Sequence, residues 1–233
     1  MSIVPYREVK RRPRRRVLNR AHVVRAALHL LDDVGLEALT MRTLSEKLGV
    51  KAASLYRHVR DKNELLQLLA DEINGEIPAV RSSGSWQDQV LEIARNVRKT
   101  LLSHRDGAEL LAATMPFGPR RLRHIESLLR ILRSAGLSGR DAVRAAYHFN
   151  NLVTEFVADE SRFATMAGRG AARRRKMYAQ ARQLFRSLPA DEYPVIVELA
   201  DDLSEDDPDG SFEFGVSVWL RGLAHLARKA DPS

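Results

Sequence analysis

Between positions 42 and 62 the chain places Arg42, Thr43, Lys51, Ser54, Tyr56, Arg57, His58 and Lys62, and only Glu46 and Asp61 interrupt this run with acids. Guanidinium, ammonium, hydroxyl, phenol and imidazole groups at this density suit phosphate oxygens and base edges. Arg in particular can fork onto guanine O6 and N7. No cluster of acid and base side chains accompanies them, so proton-transfer chemistry is not indicated.

Such groups need a rigid support. Thr40 has the hydroxyl that caps a helix start. Leu44 and Leu48, four residues apart, give that helix a buried stripe. Gly49 can take the left-handed conformation that stops it. Val50 and Leu55 then face the same core, which leaves Lys51, Ser54, Tyr56, Arg57 and His58 pointing outward. A short basic helix held by a preceding one is the geometry that enters a DNA major groove.

The charge follows the same division. Residues 1–62 carry 15 Lys/Arg against six Asp/Glu, whereas the other 171 residues carry 23 against 24. The whole excess of +8 therefore sits with the two-helix segment, as expected of a phosphate-binding module joined to a near-neutral one. There is no Cys, which excludes disulfides and thiolate metal sites and fits a reducing cytoplasm. No apolar run approaches the roughly 18 residues of a membrane helix. No apolar segment follows the basic residues at the N-terminus, which argues against a secretory signal.

Leu-Tyr-Arg-His-Val at 55–59, followed by Asp-Lys-Asn-Glu-Leu-Leu at 61–66, resembles the end of the DNA-reading helix and the start of the next helix in TetR-family repressors. The resemblance is strong from about Leu18 to Ile73. It continues more weakly through Ser85-Trp86-Gln87, His104–Ala108 and Gly136–Asp141, segments similar to the tetracycline-repressor subgroup. It implies base contact for Arg42, whose residue type alone equally suits a phosphate contact or a surface ion pair, and for Ala52, Ala53 and Ser54 at the start of the reading helix. Thr43 and Arg57 belong to the same implied interface. Tyr56, His58 and Lys62 match positions that hold the phosphate backbone, with a core aromatic as the rival reading of Tyr56, and Lys51 lies near phosphate or is a plain turn lysine. Two alanines offer no hydrogen bonds, so thymine methyl contact or close backbone approach must contribute, and the operator differs from that of the tetracycline repressor.

Helical periodicity continues to the end of the chain. It predicts helices over 20–33, 62–77, 86–103, 106–115, 120–135, 139–165, 171–188 and 211–230, with no period-two strand. Ser138 and Asp141 form a cap pair, and the acidic stretch 201–210 interrupts. The expected fold is all-α: a basic arm at 1–17, a three-helix helix-turn-helix head with its connecting helix at 18–80, a polar linker, and a larger helical domain at 85–233. Pro13 and mutual repulsion disfavour helix in the arm. It either reaches a minor groove or stays a solvated tail.

By resemblance the larger part binds an effector and dimerises. The tetracycline repressor's metal-binding His is replaced by Leu111, which implies a metal-free ligand. The aligned contact positions Ile93, Val97, Thr114, Met115, Pro116 and Leu128 are mostly apolar. Each of Ile93, Val97 and Leu128 is equally readable as ordinary core. Asn150 and Asn151 either orient a ligand or face solvent or a partner chain. Two half-sites a helical turn apart need a two-fold protein. The resemblance implies pairing of helices 139–165 and 211–230, with Phe149, Phe156, Trp219, Leu220 and Leu223 as candidates or as intrachain core.

The seven His are scattered, so no metal site is expected. Glu205–Gly210 has alternating acids before a Gly, but Pro208 and the absence of a bidentate Glu at Val216 favour a solvated loop over a calcium loop. The expectation is a cytoplasmic homodimeric repressor, not an enzyme, without cofactor or membrane partner. It would bind a palindromic double-stranded DNA operator and be released by a small apolar effector. The rivals are an architectural, ligand-independent DNA-binding dimer and a helical enzyme with a regulatory DNA head.

Overall fold

The computed structural model describes residues 18–81, 83–167 and 171–229. Among them there are eleven α-helices and one 3-10 turn, and no strand. The basic arm at 1–17 lies outside the described residues.

Helix α1 (Arg20–Val34) starts where Asn19 Oδ1 accepts from His22 N at 2.8 Å, and ends at Gly35 with φ 85°. Helix α2 (Met41–Leu48) opens on a reciprocal capping box. Thr40 Oγ1 accepts from Thr43 N at 3.0 Å, and Thr43 Oγ1 accepts from Thr40 N at 2.9 Å. Gly49 is left-handed, φ 62° and ψ 34°, and turns the chain into α3 (Ala52–Leu55). Helix α4 (Lys62–Glu76) begins where Asp61 Oδ1 accepts from Glu64 N at 2.8 Å. That amide, with the Arg60 guanidinium second, holds the Asp61 carboxyl below its ordinary value of 3.8. Val23, Ala27, Leu31, Leu39, Leu44, Leu55, Val59, Leu65, Leu69 and Ile73 are all buried in one cluster beneath these four helices.

Helix α5 (Trp86–Leu102) starts at a second capping box between Ser85 and Asp88. Then come α6 (Gly107–Ala112), α7 (Pro119–Ser134) and the 29-residue α8 (Gly139–Ala167). The Ser138–Asp141 pair stands at the start of α8, with Asp141 N donating to Ser138 Oγ at 3.1 Å. A second cluster joins Val90, Ile93 and Ala94 of α5, Leu128, Ile131 and Leu132 of α7, Phe149 and Val153 of α8, and Phe212, Val216, Leu220 and Leu223 of the last helix, α11 (Pro208–Lys229). Residues 81 and 83–85 lie outside any helix, but they do not interrupt packing. The first cluster crosses it to take in Leu101, Leu110, Leu111 and Val157.

Among the described residues, helices α9 (Ala171–Arg186) and α10 (Pro194–Glu198) contribute no member to either cluster. Ion pairs of Arg174 with Asp206 at 2.6 Å and of Arg186 with Asp201 at 2.6 Å tie α9 to the acidic stretch. The last helix starts three residues earlier than its apolar pattern predicts. Pro208 lies in its first turn, where a missing N–H costs nothing. Asp207 Oδ1 accepts from Gly210 N at 2.8 Å.

Candidate nucleic-acid interface and effector region

None of the ten residues expected at DNA is buried. Arg42, Lys51, Ala52, Ala53, Tyr56 and Arg57 are exposed, and Thr43, Ser54, His58 and Lys62 are half-buried. Leu44, Leu55 and Val59 alternate with them and are fully buried, which fixes their backbone. Tyr56 is 52% exposed and so is not a core aromatic. Thr43 has its hydroxyl committed to the α2 cap, with Ala38 O at 3.0 Å. Arg57 Nη2 reaches Ser54 Oγ at 3.4 Å.

Acids balance part of the positive charge here. Arg20 pairs with Glu64, Lys47 with Asp33 at 2.5 Å, and Arg60 with Asp61 at 2.9 Å. Among the described residues Lys51, Arg57 and Lys62 make no ion pair. Arg42 Nε is 2.9 Å from Glu46 Oε1, and both side chains are largely exposed. A fully exposed pair of this kind is screened by water and salt and holds its partners weakly. Arg42 can therefore exchange Glu46 for a base edge at little cost. Glu46→Gln removes an acid from this basic surface. It is expected to tighten duplex binding by about two- to fivefold at low salt, as fluorescence anisotropy would measure.

The head is fastened to the larger part at two places that the sequence did not reveal. At the first, the loop between α5 and α6 grips α1 and α4. His104 Nδ1 lies 3.2 Å from Asp32 Oδ1, and its Nε2 lies 2.9 Å from Glu76 Oε2. Arg105 Nη1 donates to Asp33 O at 3.0 Å. Asp106, at φ 56°, accepts from Leu36 N at 2.7 Å. Left-handed backbone at a non-glycine residue is sparsely populated and persists only where neighbours hold it.

At the second, Asp71 of α4 is buried and its Oδ1 accepts from Arg120 N at 2.8 Å and Arg121 N at 3.0 Å. A carboxylate of α4 thus caps the N-terminus of α7, where the helix dipole favours negative charge. Arg121 is itself buried, and burial pushes its guanidinium down from the ordinary value. It donates to Leu111 O at 3.2 Å and Thr114 O at 3.1 Å, which closes the C-terminal carbonyls of α6. The sequence held one signal for Asp71: an acid between Leu69 and Ile73, both buried positions of α4.

The nine residues expected at an effector differ in burial. Ile93, Leu111, Thr114 and Leu128 are buried, and Val97 and Pro116 are half-buried. Met115 is 58% exposed, Asn150 is exposed and Asn151 is half-buried. Ile93 alone of the nine lines a cleft of about 310 Å3 between α4, α5 and α7. None of them lines a larger open groove of about 1180 Å3, which has Phe156, Phe163 and Tyr178 on its walls.

The phosphate-ready head on a helical body defines a helix-turn-helix DNA-binding regulator. Residues 23–69 match the family model for bacterial regulatory proteins of the tetR family, and residues 78–227 match that for the tetracyclin repressor-like C-terminal domain. The chain belongs to the TetR family of transcriptional regulators. It is 35% identical over 207 residues to the class A tetracycline repressor from transposon 1721 of Escherichia coli, covering 87% of this chain and 88% of that one. Its fold superposes on ActR of Streptomyces coelicolor in complex with actinorhodin with a TM-score of 0.81, at 32% identity over 90% of this chain and 98% of that one. It superposes on Mycobacterium smegmatis BioQ with its double-stranded DNA operator with a TM-score of 0.64, at 30% identity over 89% and 99% of the two chains. Among the described residues no helix is long and apolar enough to cross a membrane.

Proposed function

We propose that this chain is a homodimeric repressor that binds a palindromic operator and is released by a small, largely apolar, metal-independent effector. The observation that carries the reading is the α2–α3 head: buried leucines fix its backbone, its cations Lys51 and Arg57 are exposed, and these two and Lys62 at the start of α4 make no ion pair among the described residues. In this reading Lys62, Tyr56 and His58 hold phosphate, Arg42 reads a base, and Ala52, Ala53 and Ser54 lie against base edges. The DNA-bound state of BioQ and the ligand-bound state of ActR support both halves. Leu111 is buried and apolar where, by resemblance, the tetracycline repressor has its metal-binding His. A magnesium chelate therefore has no such ligand here.

Dimerisation is supported by an apolar face that this chain leaves uncovered. Val143 and Tyr147 of α8 and Phe214, Val218 and Leu226 of α11 are between 49% and 72% exposed. The sequence pointed to other residues on the same helices. Phe149, Leu220 and Leu223 are buried within the chain, while Trp219 and Phe156 pack onto the same cluster. Effector binding and DNA binding would favour different orientations of α4, which contacts α1 in the head and α7 in the body.

Selection from random duplexes tests the reading and is expected to return a palindrome. Recovery of no preferred sequence favours an architectural binder. Val218→Arg is expected to give a monomer in sedimentation equilibrium, with operator affinity lower by roughly 100-fold because the second half-site no longer assists the first.

A further inference from the structure

We infer that the cleft between the C-terminal end of α4 and α7 binds the carboxylate of a small amphipathic acid. This rests on the effector-responsive reading above and gives that effector a chemical class: an apolar body with one anionic head.

The α7 wall of the cleft presents Arg120, Arg123, His124 and Ser127. Their i, i+3, i+4, i+7 spacing puts all four on one face of the helix. No Asp or Glu lines the cleft. Arg123 has no acid partner among the described residues. Arg120 crosses α4 at Gly75, where a Cβ would stand 2.5 Å from its Cδ, and pairs with Glu72 outside the cleft. His124 Nε2 is 2.8 Å from Asn74 O, so that nitrogen carries a proton and donates, leaving Nδ1 as the other ring nitrogen.

The opposite side is apolar. Ile77 and Ile93 are 7% and 8% exposed and form the floor, with Val80 beside them. Two guanidinium groups over such a floor match a carboxylate, which Arg grips by a two-pronged hydrogen bond, attached to a hydrocarbon that covers the isoleucines. A free phosphate can also be gripped by Arg, but it carries no hydrocarbon to cover the isoleucine floor. The volume of about 310 Å3 stands at the lower end of the roughly 300–1,000 Å3 range of small-molecule sites. The position also links binding to output. A carboxylate on Arg120 competes with Glu72 at the joint where Asp71 of α4 caps α7. An occupant thus favours one orientation of α4 over another.

The test is calorimetric titration of the full chain with octanoate and with phenylacetate, each against its neutral amide, and with inorganic phosphate. At least one acid is expected to bind about tenfold or more tightly than its amide, and phosphate far more weakly than that acid. Arg123→Ala is expected to weaken the acid about tenfold and leave the amide unchanged, as loss of a charge-assisted hydrogen bond predicts. Arg123 is exposed on a helix that tolerates Ala, so the variant keeps its fold. Equal affinity for acid and amide, phosphate binding as tight as either acid, no binding of either acid, or an acid affinity indifferent to Arg123→Ala would each overturn the inference. A protein that still binds a selected duplex under those outcomes keeps the regulator reading. A protein that binds no duplex loses that reading whatever the acids do.

Discussion

Gly118→Ala is expected to lower the unfolding free energy by about 2–4 kcal/mol, the range for breaking a buried charged hydrogen-bond network. A Cβ at this position would stand 2.1 Å from Asp71 Oδ1, 2.4 Å from its Cγ and 2.6 Å from its Cβ. Rotating the end of the side chain cannot relieve a contact that reaches back to Cβ. Either α7 moves off α4 or Asp71 leaves the amides of Arg120 and Arg121. The second course strands a buried carboxylate and two helix-start amides. Asp71→Ala alone loses the cap but opens space. The double variant should therefore be no less stable than Gly118→Ala alone, a non-additivity that chemical denaturation would read directly. Wild-type stability for Gly118→Ala would show that the α4–α7 joint is looser than its geometry indicates. The same variant should alter operator affinity, since this joint carries α4.

Arg42→Ala and Lys62→Ala are expected to weaken operator binding in different ways. A two-pronged Arg–guanine contact is worth roughly 1–3 kcal/mol of discrimination. Loss of Arg42 should therefore cost up to about 100-fold on the preferred operator and much less on sequences altered at the base it reads. Lys62 begins α4, is half-buried and makes no ion pair among the described residues. Its loss should weaken all duplexes evenly and lower the slope of log affinity against log salt by about 1. Competition binding on a panel of single-base operator variants at several salt concentrations separates the two patterns. Uniform losses for both variants would remove Arg42 from base reading.

The head was legible because its determinants are local. Thr40, Gly49 and Gly35 set caps and stops through their own backbone and side-chain chemistry, and each does so in the structure. Thr43 closes the capping box with a hydroxyl where Glu or Gln is usual, so the motif was only half visible. Pro208 reads as a breaker in sequence and stands in the first turn of a helix in space, because Asp207 supplies the cap. Helix α10 is not legible in the sequence because five residues carry no measurable period.

The effector region was the least legible part. Periodicity tells which side of a helix is apolar and not what that side faces. Ile93 and Leu128 therefore read alike, though Ile93 alone lines the cleft. On α11 the stronger stripe of Phe212, Val216, Leu220 and Leu223 is core. The weaker one of Phe214, Val218 and Leu226 is the uncovered face. His104, Asp106 and Asp71 act across 72, 70 and 50 residues of sequence, beyond the reach of any local pattern.

We propose that the outer surface of α2, α3 and the start of α4 receives duplex DNA. Anisotropy of a labelled duplex titrated with the full chain at low ionic strength, then with rising salt, tests it most directly. The account predicts saturable binding that falls steeply and linearly in log salt, with a shallower slope for Lys62→Ala. Absence of binding in dilute buffer, or a slope that the Lys62 variant leaves unchanged, would contradict it.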